Sequence, residues 1–272
     1  MAKRLPKVLF PAAIASDYYD AMADRIERMH QDTISYLDST VYPLLRMTQD
    51  DVRGDDWIDD IIRGLTDLDG TAQALFIGRV AEQMAQDFVS KIKTYGVQQV
   101  GRQVKAVLGF DPLGRDPKLE EVSKAAVTEN VGLIKSIPTE YHKRVENVVL
   151  TGVRSGKSAK EIADEIKHVY DVTTSRAKLI AVDQAGKMMG DVTRIRQKGL
   201  GLTHFRWRDS NDNRVRPKHR EFNGKVYSWD KGAPGGILPG QEVRCRCTAE
   251  VVEDELLDNW VPDGIKNSTG GK

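Results

Sequence analysis

The feature that most constrains the fold is a change in hydrophobic period near residue 200. Before this point, apolar side chains recur every three or four positions, which is the spacing of one helix face. From Thr203 to Arg208 the pattern becomes a strict alternation, which is the period of a half-buried strand. The sequence therefore predicts an α+β protein with a mainly helical N-terminal body and a small C-terminal antiparallel β-rich module.

Apolar spacing and prolines divide the first part of the helical body. A helix is predicted over residues 17–45, with a kink or an end near Tyr42, because Pro43 clashes with the backbone one turn earlier. A short amphipathic helix is expected within residues 50–70. The clearest stripe steps by four residues and predicts one continuous bundle helix that Gly96 and Gly101 end or loosen. Its members are Phe76, Val80, Met84, Phe88 and Ile92.

The middle of the chain contains further breaks. Residues 109–117 hold two glycines and two prolines and are predicted to form a loop. One helix is expected over about residues 119–135, and a separate helix is expected to carry Pro138 in its first turn.

Capping signals predict the last helices of the body. Ser158 and Glu161 match the capping box, in which each side chain satisfies a backbone donor of the other residue. A helix should therefore begin there, and Thr173 or Thr174 should cap another over residues 175–197.

Three strands are predicted for the C-terminal module, over residues 203–208, 224–229 and 243–252. The domain hypothesis that follows has three parts. They are a helical region for partner contacts over residues 1–150, a domain of two helices and the β module over residues 151–260, and a flexible tail over residues 261–272.

The net charge conceals an asymmetry. The chain holds 41 Lys and Arg and 40 Asp and Glu, for a net charge of +1. This balance argues against a nucleic-acid binder that acts through bulk charge. Residues 17–69, however, contain 14 acidic and 5 basic side chains, whereas residues 201–252 contain 10 basic and 6 acidic ones. The chain is acidic early and basic late.

No apolar run is long enough to predict a membrane span, and no secretory signal is visible at the start. The 2 cysteines, Cys245 and Cys247, do not form a disulfide framework, which predicts folding in a reducing compartment.

The cysteines leave two alternatives. On a strand, both point to one face with Cβ atoms about 6.5–7 Å apart, too far for a disulfide but able to converge on zinc. His219 or an aspartate such as Asp212 completes such a site. Alternatively, the cysteines are small core residues and His219 is a turn residue bonded to Asp212 or backbone. A nuclease-like metal site of Asp209, Asp212 and His219 is a third hypothesis.

The arginines of the module divide into two groups. Arg214 and Arg216 are expected to pair with Asp209 and Asp212 inside the module, because the guanidinium fork suits bidentate bonds to carboxylate. Arg206, Arg208 and Arg220 are candidate contacts with DNA or a partner protein.

An ordered set of these residues resembles the phage Mu F-type head morphogenesis family over about residues 150–252. The residues that match the family pattern are Trp207, Asp212, Arg214, Arg216, His219, Gly224, Pro239, Gly240, Cys245 and Cys247. One position departs from the pattern. Many relatives have histidine before the Pro-Gly pair, where this chain has Leu238, and this removes a candidate metal ligand.

The resemblance implies a non-enzymatic minor capsid protein of a tailed bacteriophage. Such a protein acts in head morphogenesis near the portal, is linked to DNA packaging or delivery, and resides in the virion head interior after assembly in the host cytoplasm. The implied partners are the portal and the major capsid or scaffold protein, with packaged double-stranded DNA as a further candidate and no membrane. No cofactor is implied. The alternative function is a metal-dependent nucleic-acid enzyme or a zinc-stabilised DNA-binding module.

Overall fold

The computed structural model describes residues 5–46, 57–76 and 78–260. Within these ranges long helices come first, and short strands appear only after residue 200. In chain order the elements are α1 (Ala12–Tyr36), a π-helical turn (Leu37–Val41), α2 (Tyr42–Arg46), α3 (Trp57–Phe76), α4 (Arg79–Leu108), α5 (Pro117–Arg154), α6 (Ala159–Gly199), β1 (His204–Arg208), α7 (Pro217–Phe222), β2 (Val226–Ser228), β3 (Thr248–Glu250) and α8 (Glu253–Trp260). The predicted α+β class, with a helical body and a small antiparallel sheet near the C-terminus, is confirmed.

Two compact units share these elements. Unit 1 comprises the described residues of Met1–Ser16, Gln86–Thr128 and Ala181–Lys272, and unit 2 comprises those of Asp17–Ala85 and Glu129–Ile180. Both units are discontinuous along the chain. The predicted boundary at residue 150 lies inside α5, and the predicted tail over residues 261–272 lies outside the described residues. No helix in the described ranges combines the length and apolar character needed to cross a membrane.

The first helix is distorted near Pro43 but does not end there. The N–H of Tyr42 donates to the carbonyl of Leu37, five residues earlier, and this bond closes a π turn. A proline in a regular α-helix clashes with the carbonyl four residues before it, and the wider π turn relieves that crowding. The helix then continues to Arg46. The predicted interruption is present as a change of helix type.

The predicted continuous stripe is wrong, because it is divided between two helices. Phe76 is the last residue of α3, and α4 begins at Arg79 after Gly78, which has a φ of +71°. Gly96 does not end α4, which continues to Leu108. A Cβ on Gly96 would lie 2.6 Å from Cγ1 of Val192 in α6. This glycine therefore allows two helices of unit 1 to pack closely and is not a helix stop.

The two helices predicted around Pro138 are one helix, α5, with Pro138 in its interior. Buried side chains lie before and after the proline on one face, at Ile134, Ile137 and Tyr141. Burial of this stripe outweighs the lost backbone hydrogen bond, which is how tertiary packing overrides a local breaker.

The predicted break near Thr173 is also wrong, because α6 is continuous from Ala159 to Gly199. The hydroxyls of Thr173 and Thr174 donate to carbonyls one turn earlier, at 2.8 and 3.0 Å, which is the bonding of mid-helix threonines. The predicted start is confirmed. The N–H of Ser158 donates to the Glu161 carboxylate at 2.8 Å, and the N–H of Glu161 donates to the Ser158 hydroxyl at 3.3 Å.

The sheet has the order β2-β1-β3, with both pairs antiparallel. Phe205 and Trp207 of β1 are fully buried, as the alternation predicts, and lie opposite Tyr227 and Ala249. These aromatic residues anchor the apolar core of the module in unit 1. Its buried members are Phe205, Trp207, Phe222, Trp229, Ala233, Cys245, Cys247 and Ala249.

Candidate functional site

His219 lies in α7, a short helix that the sequence analysis did not predict. Pro217 is the first residue of α7, where a backbone N–H would have no hydrogen-bond partner within the helix. The His219 ring is 1% exposed. It packs edge-on against Trp207, with centroids 5.2 Å apart, and stacks on Phe222 at 5.9 Å. Two aromatic neighbours therefore fix the plane of the imidazole.

Cys245 and Cys247 converge on this imidazole. Both Sγ atoms lie 3.6 Å from Nδ1 of His219, and the two cysteines are 3% and 6% exposed. The prediction that they lie on a strand is wrong, because β3 begins only at Thr248. Arg244 has a φ of +59°, so the chain turns immediately before Cys245 and both thiols point inward.

The cysteine segment is held by glycines of α6. A Cβ on Gly186 would lie 2.5 Å from the carbonyl oxygen of Cys245, and a Cβ on Gly190 would lie 2.6 Å from that of Pro239. Gly240 has a φ of +83°, and its own Cβ would overlap the carbonyl of Gly186. The Pro-Gly pair of the family pattern therefore sits directly on the helix backbone.

Sequence analysis missed Gly186 and Gly190. The available signal was their separation by four residues, which places two small residues on one helix face. Such a pair lets another backbone approach the helix closely.

Glu242 was also missed as a site residue. Its Oε2 lies 2.8 Å from Nε2 of His219, and its Oε1 accepts a hydrogen bond from Lys218 at 2.6 Å. The hydrogen bond from Lys218 lowers the pKa of Glu242, and the charge of Arg216 acts in the same direction. An acidic residue three positions before the cysteine pair was the only sequence signal.

The two thiols are not equivalent. The hydrogen bond from Cys247 lowers the pKa of Cys245 to about 6. The same hydrogen bond and burial raise the pKa of Cys247. Cys245 is therefore the thiol that ionises first.

The aspartates do not join this cluster. Among the described residues, the metal-ligating types that come together here are His219, Cys245 and Cys247. Asp212 instead pairs with Arg246, at 2.7 Å. Asp209 accepts the N–H of Asn211 at 3.0 Å. The structure thus brings together the Cys and His candidates, but not the nuclease-like set with both aspartates.

The predicted pairing with Asp209 or Asp212 is found for Arg214 but is wrong for Arg216, whose carboxylate neighbour is Glu242. Arg214 lies 3.7 Å from Asp212, and Arg216 lies 3.5 Å from Glu242. Arg216 also donates to the carbonyl of Val243 at 2.6 Å. The Arg214 side chain is still 72% exposed, so much of its charge faces solvent.

The other three arginines have intramolecular partners as well. Arg206 donates to the carbonyl of Gly224 at 2.9 Å, and Arg208 donates to the buried Glu250 at 2.5 Å. Arg220 donates to the carbonyl of Asp212 at 3.2 Å. Their contact with DNA or a partner protein stays a prediction.

A polar cleft of about 500 Å³ adjoins the module in unit 1, between residues 7–12 and the end of β1. Its arginines are Arg208 and Arg246, which pair with Glu250 and Asp212. Because Arg208 and Arg246 are neutralised internally, they contribute little to any anion binding in the cleft.

The residues of this site lie within a stretch that is shared with a known family. Residues 143–250 match the family model described as "Phage Mu protein F like protein". They form a phage Mu F-like domain. The resemblance found in the sequence is therefore confirmed, and every residue of the family pattern lies inside the matched range of this phage Mu F-like domain.

Three curated proteins give the wider comparison. An uncharacterized protein of Haemophilus influenzae is 32% identical over 182 residues, covering 66% of this chain and 40% of that protein. NAD(+)--arginine ADP-ribosyltransferase EFV of Enterococcus faecalis is 28% identical, and the match covers 47% of this chain and 33% of that protein. An uncharacterized protein of Methanocaldococcus jannaschii is 29% identical, and the match covers 44% of this chain and 19% of that protein. The chain thus spans less than half the length of each relative. No solved structure matches it.

Proposed function

We propose that this chain is a minor head protein that acts in head morphogenesis of a tailed phage, near the portal, and aids DNA packaging or delivery without catalysis. The observation that carries the proposal is the phage Mu F-like match over residues 143–250. The proposed partners are the portal and the major capsid or scaffold protein, and the proposed location is the head interior.

The contacts of the family-pattern residues support a structural role. Trp207 is fully buried in the core of the module, and Asp212 binds Arg246. Gly240 lies on the backbone of α6. These residues stabilise a rigid module, which is what a docking protein requires to present a defined surface.

The charge distribution supports two different partners. The acidic window over residues 17–69 falls within unit 2, and the basic window over residues 201–252 falls within unit 1. An acidic surface repels DNA and suits a basic protein face, whereas a basic surface attracts phosphates. We therefore assign portal, capsid or scaffold contacts to unit 2 and any DNA contact to unit 1.

The similarity to the ADP-ribosyltransferase does not extend the proposal to catalysis. Only 33% of that protein is covered by the match, so its transferase activity is not carried over to this chain. Incubation of the purified chain with NAD⁺ and arginine should release no nicotinamide above a protein-free control. Nicotinamide release would contradict the non-enzymatic assignment.

Incorporation into particles tests the main proposal. Heads purified from a phage that encodes this chain should contain it, and heads assembled without the portal should lack it. Charge reversal at the exposed Asp24 and Asp59 should reduce its copy number in heads several-fold. Reversal of the exposed Glu140 and Glu146, which lie outside the acidic window of the same unit, is the matched control. Recovery of the wild-type chain only as free protein in the lysate would overturn the proposal.

DNA contact has its own test. Binding of double-stranded DNA by the wild-type chain should weaken steeply between about 50 and 200 mM salt, because phosphate neutralisation releases counterions. Arg214→Gln should weaken it further, since this guanidinium is largely exposed. Binding that is absent at low salt would remove DNA from the set of partners and leave the capsid contacts intact.

A further inference from the structure

We infer that His219, Cys245 and Cys247 bind one thiophilic divalent cation of the zinc class, which ties α7 to the segment before β3. The inference does not depend on the proposed function, because it rests on the geometry of the three side chains. The role assigned to the cation is stabilisation of the β module.

The separations of the ligand atoms suit tetrahedral coordination. Nδ1 of His219 lies 3.6 Å from both Sγ atoms, and all three ligand atoms lie within 4.8 Å of one another. A tetrahedral zinc with bonds of about 2.3 Å to sulfur and about 2.05 Å to nitrogen places these atoms about 3.6 Å apart. The protein therefore holds the His–Cys edges of the coordination polyhedron at the required length.

The other nitrogen of the imidazole lies close to a carboxylate. Nε2 lies 2.8 Å from the carboxylate of Glu242, and Nδ1 faces the thiols. A carboxylate behind a histidine is the usual outer partner of a metal-bound imidazole, because it fixes the tautomer and raises the basicity of the ligating nitrogen. The contacts of His219 with Trp207 and Phe222 restrain the ring plane further.

The backbone that carries the cysteines is also fixed. The carbonyl of Cys245 lies so close to Gly186 that this residue cannot carry a side chain. The N–H of Cys245 donates to the carbonyl of Glu242 at 2.8 Å. A site whose ligands are held in place before binding loses little entropy when the cation arrives.

Two alternatives to a metal site, core packing alone and a disulfide, each explain fewer of these contacts than metal binding does. Packing accounts for the burial of two thiols, but not for an imidazole nitrogen that lies 3.6 Å from both of them. A disulfide needs an S–S bond of about 2.05 Å and leaves Nδ1 of His219 without a role. Among the described residues no fourth His, Cys, Asp or Glu joins the cluster. The fourth coordination position is therefore assigned to a small ligand such as water.

Metal content and stability test the inference on the full chain. Protein purified from zinc-supplemented medium should hold one zinc per chain by elemental analysis. Removal with a chelator should lower Tm by about 5 °C or more, and added zinc should restore it. Absence of stoichiometric zinc, together with a Tm that changes with neither chelator nor added zinc, would overturn the inference.

Variants separate ligation from packing. Cys247→Ala and His219→Asn should lose the zinc and the zinc-dependent part of Tm, whereas His168→Asn, at an exposed position, should keep both. Retention of one zinc per chain by the Cys245→Ala/Cys247→Ala double variant would contradict the assignment.

Cobalt provides a test that does not require any variant to fold. Titration of the metal-free wild-type chain with Co²⁺ should give thiolate-to-cobalt charge-transfer absorption that saturates at one equivalent. Thiol titration of the metal-free chain should find two free thiols. Saturation without charge-transfer bands would place the metal elsewhere, and the absence of free thiols would establish a disulfide. Either result overturns the inference.

Discussion

Gly240 lies so close to the backbone of Gly186 that Gly240 cannot carry a side chain. A Cβ on Gly240 would overlap the carbonyl of Gly186, and a Cβ on Gly186 would lie 2.5 Å from the carbonyl oxygen of Cys245. Gly240 also has a φ of +83°, which L-residues rarely adopt. The contact sets the position of Cys245 relative to α6.

Gly240→Ala should therefore destabilise unit 1 by about 2–5 kcal/mol, since overpacking adds to left-handed strain. Gly236→Ala is the matched control, because Gly236 has a φ of +74° but a Cβ on it would meet no atom within 4 Å. The control should lose only about 1–2 kcal/mol. Urea unfolding measures both, and equal losses would show that the contact with Gly186 contributes nothing.

Two helical glycines should respond in opposite directions to alanine. At Gly190 a Cβ would lie 2.6 Å from the carbonyl oxygen of Pro239, whereas at Gly132 it would meet nothing. Gly132→Ala should stabilise unit 2 by about 0.5–1 kcal/mol through helix propensity. Gly190→Ala should instead lower the free energy of unfolding by about 1–3 kcal/mol. Thermal unfolding checks both signs, and a more stable Gly190→Ala would contradict the close packing.

Gln197, near the end of α6, accepts a hydrogen bond from the indole of Trp229. Its Oε1 accepts the Trp229 Nε1–H at 3.2 Å, and its Nε2 donates to the carbonyl of Ala249 at 3.4 Å. Gln197→Met keeps the volume but leaves the indole N–H buried without this partner, so stability should fall by about 1–3 kcal/mol. Gln98→Met, at an exposed position of α4, should change it by less than about 0.5 kcal/mol. Equal effects in denaturant unfolding would refute the role of Gln197.

Stability should depend on the ionisation of Glu255. Burial raises its pKa, but the hydrogen bonds from the Thr203 side chain and from the backbone of Thr203 and His204 lower the pKa overall. The stabilisation is therefore complete above the unfolded value of about 4.3 and is lost as the pH falls through the lower folded value.

Glu255→Gln should accordingly lower the free energy of unfolding by about 1–3 kcal/mol at pH 7, because charge-assisted bonds are lost. The difference from wild type should shrink as the pH falls below about 4. Glu253→Gln, on the same helix, is the control. A difference that stays constant between about pH 7 and pH 3 would show that Glu255 contributes through shape and not charge.

Local signals predicted the parts of the fold that local chemistry decides. The alternation of β1 and the capping box of Ser158 are both confirmed, because each depends on residues that are adjacent in sequence. The predicted helix breaks at Pro138 and Thr173 were wrong, because there the outcome depends on residues that are distant in sequence. Buried side chains on both sides of each position hold α5 and α6 continuous, and such burial cannot be read from a local window.

The candidate site shows the same division. The residue types of His219, Cys245 and Cys247 pointed to a metal, but their strand geometry was wrong, since Arg244 turns the chain before β3 begins. Glu242 and Gly186 were not predicted as site residues because their roles depend only on tertiary contacts. Gly186 is separated from Gly240 by 54 positions of chain, and nothing local signals that the two meet.

The first and last parts of unit 1 meet at Val8, whose carbonyl accepts the hydroxyl of Thr248 at 2.8 Å. These residues are 240 positions apart, so the bond cannot form until Thr248 has been synthesised. Ribosomes add about 5–20 residues per second, so the synthesis of the two residues is separated by about 10–50 seconds. Unit 2, which ends at Ile180, has all of its residues earlier. Translation order thus favours completion of the acidic unit before the basic one.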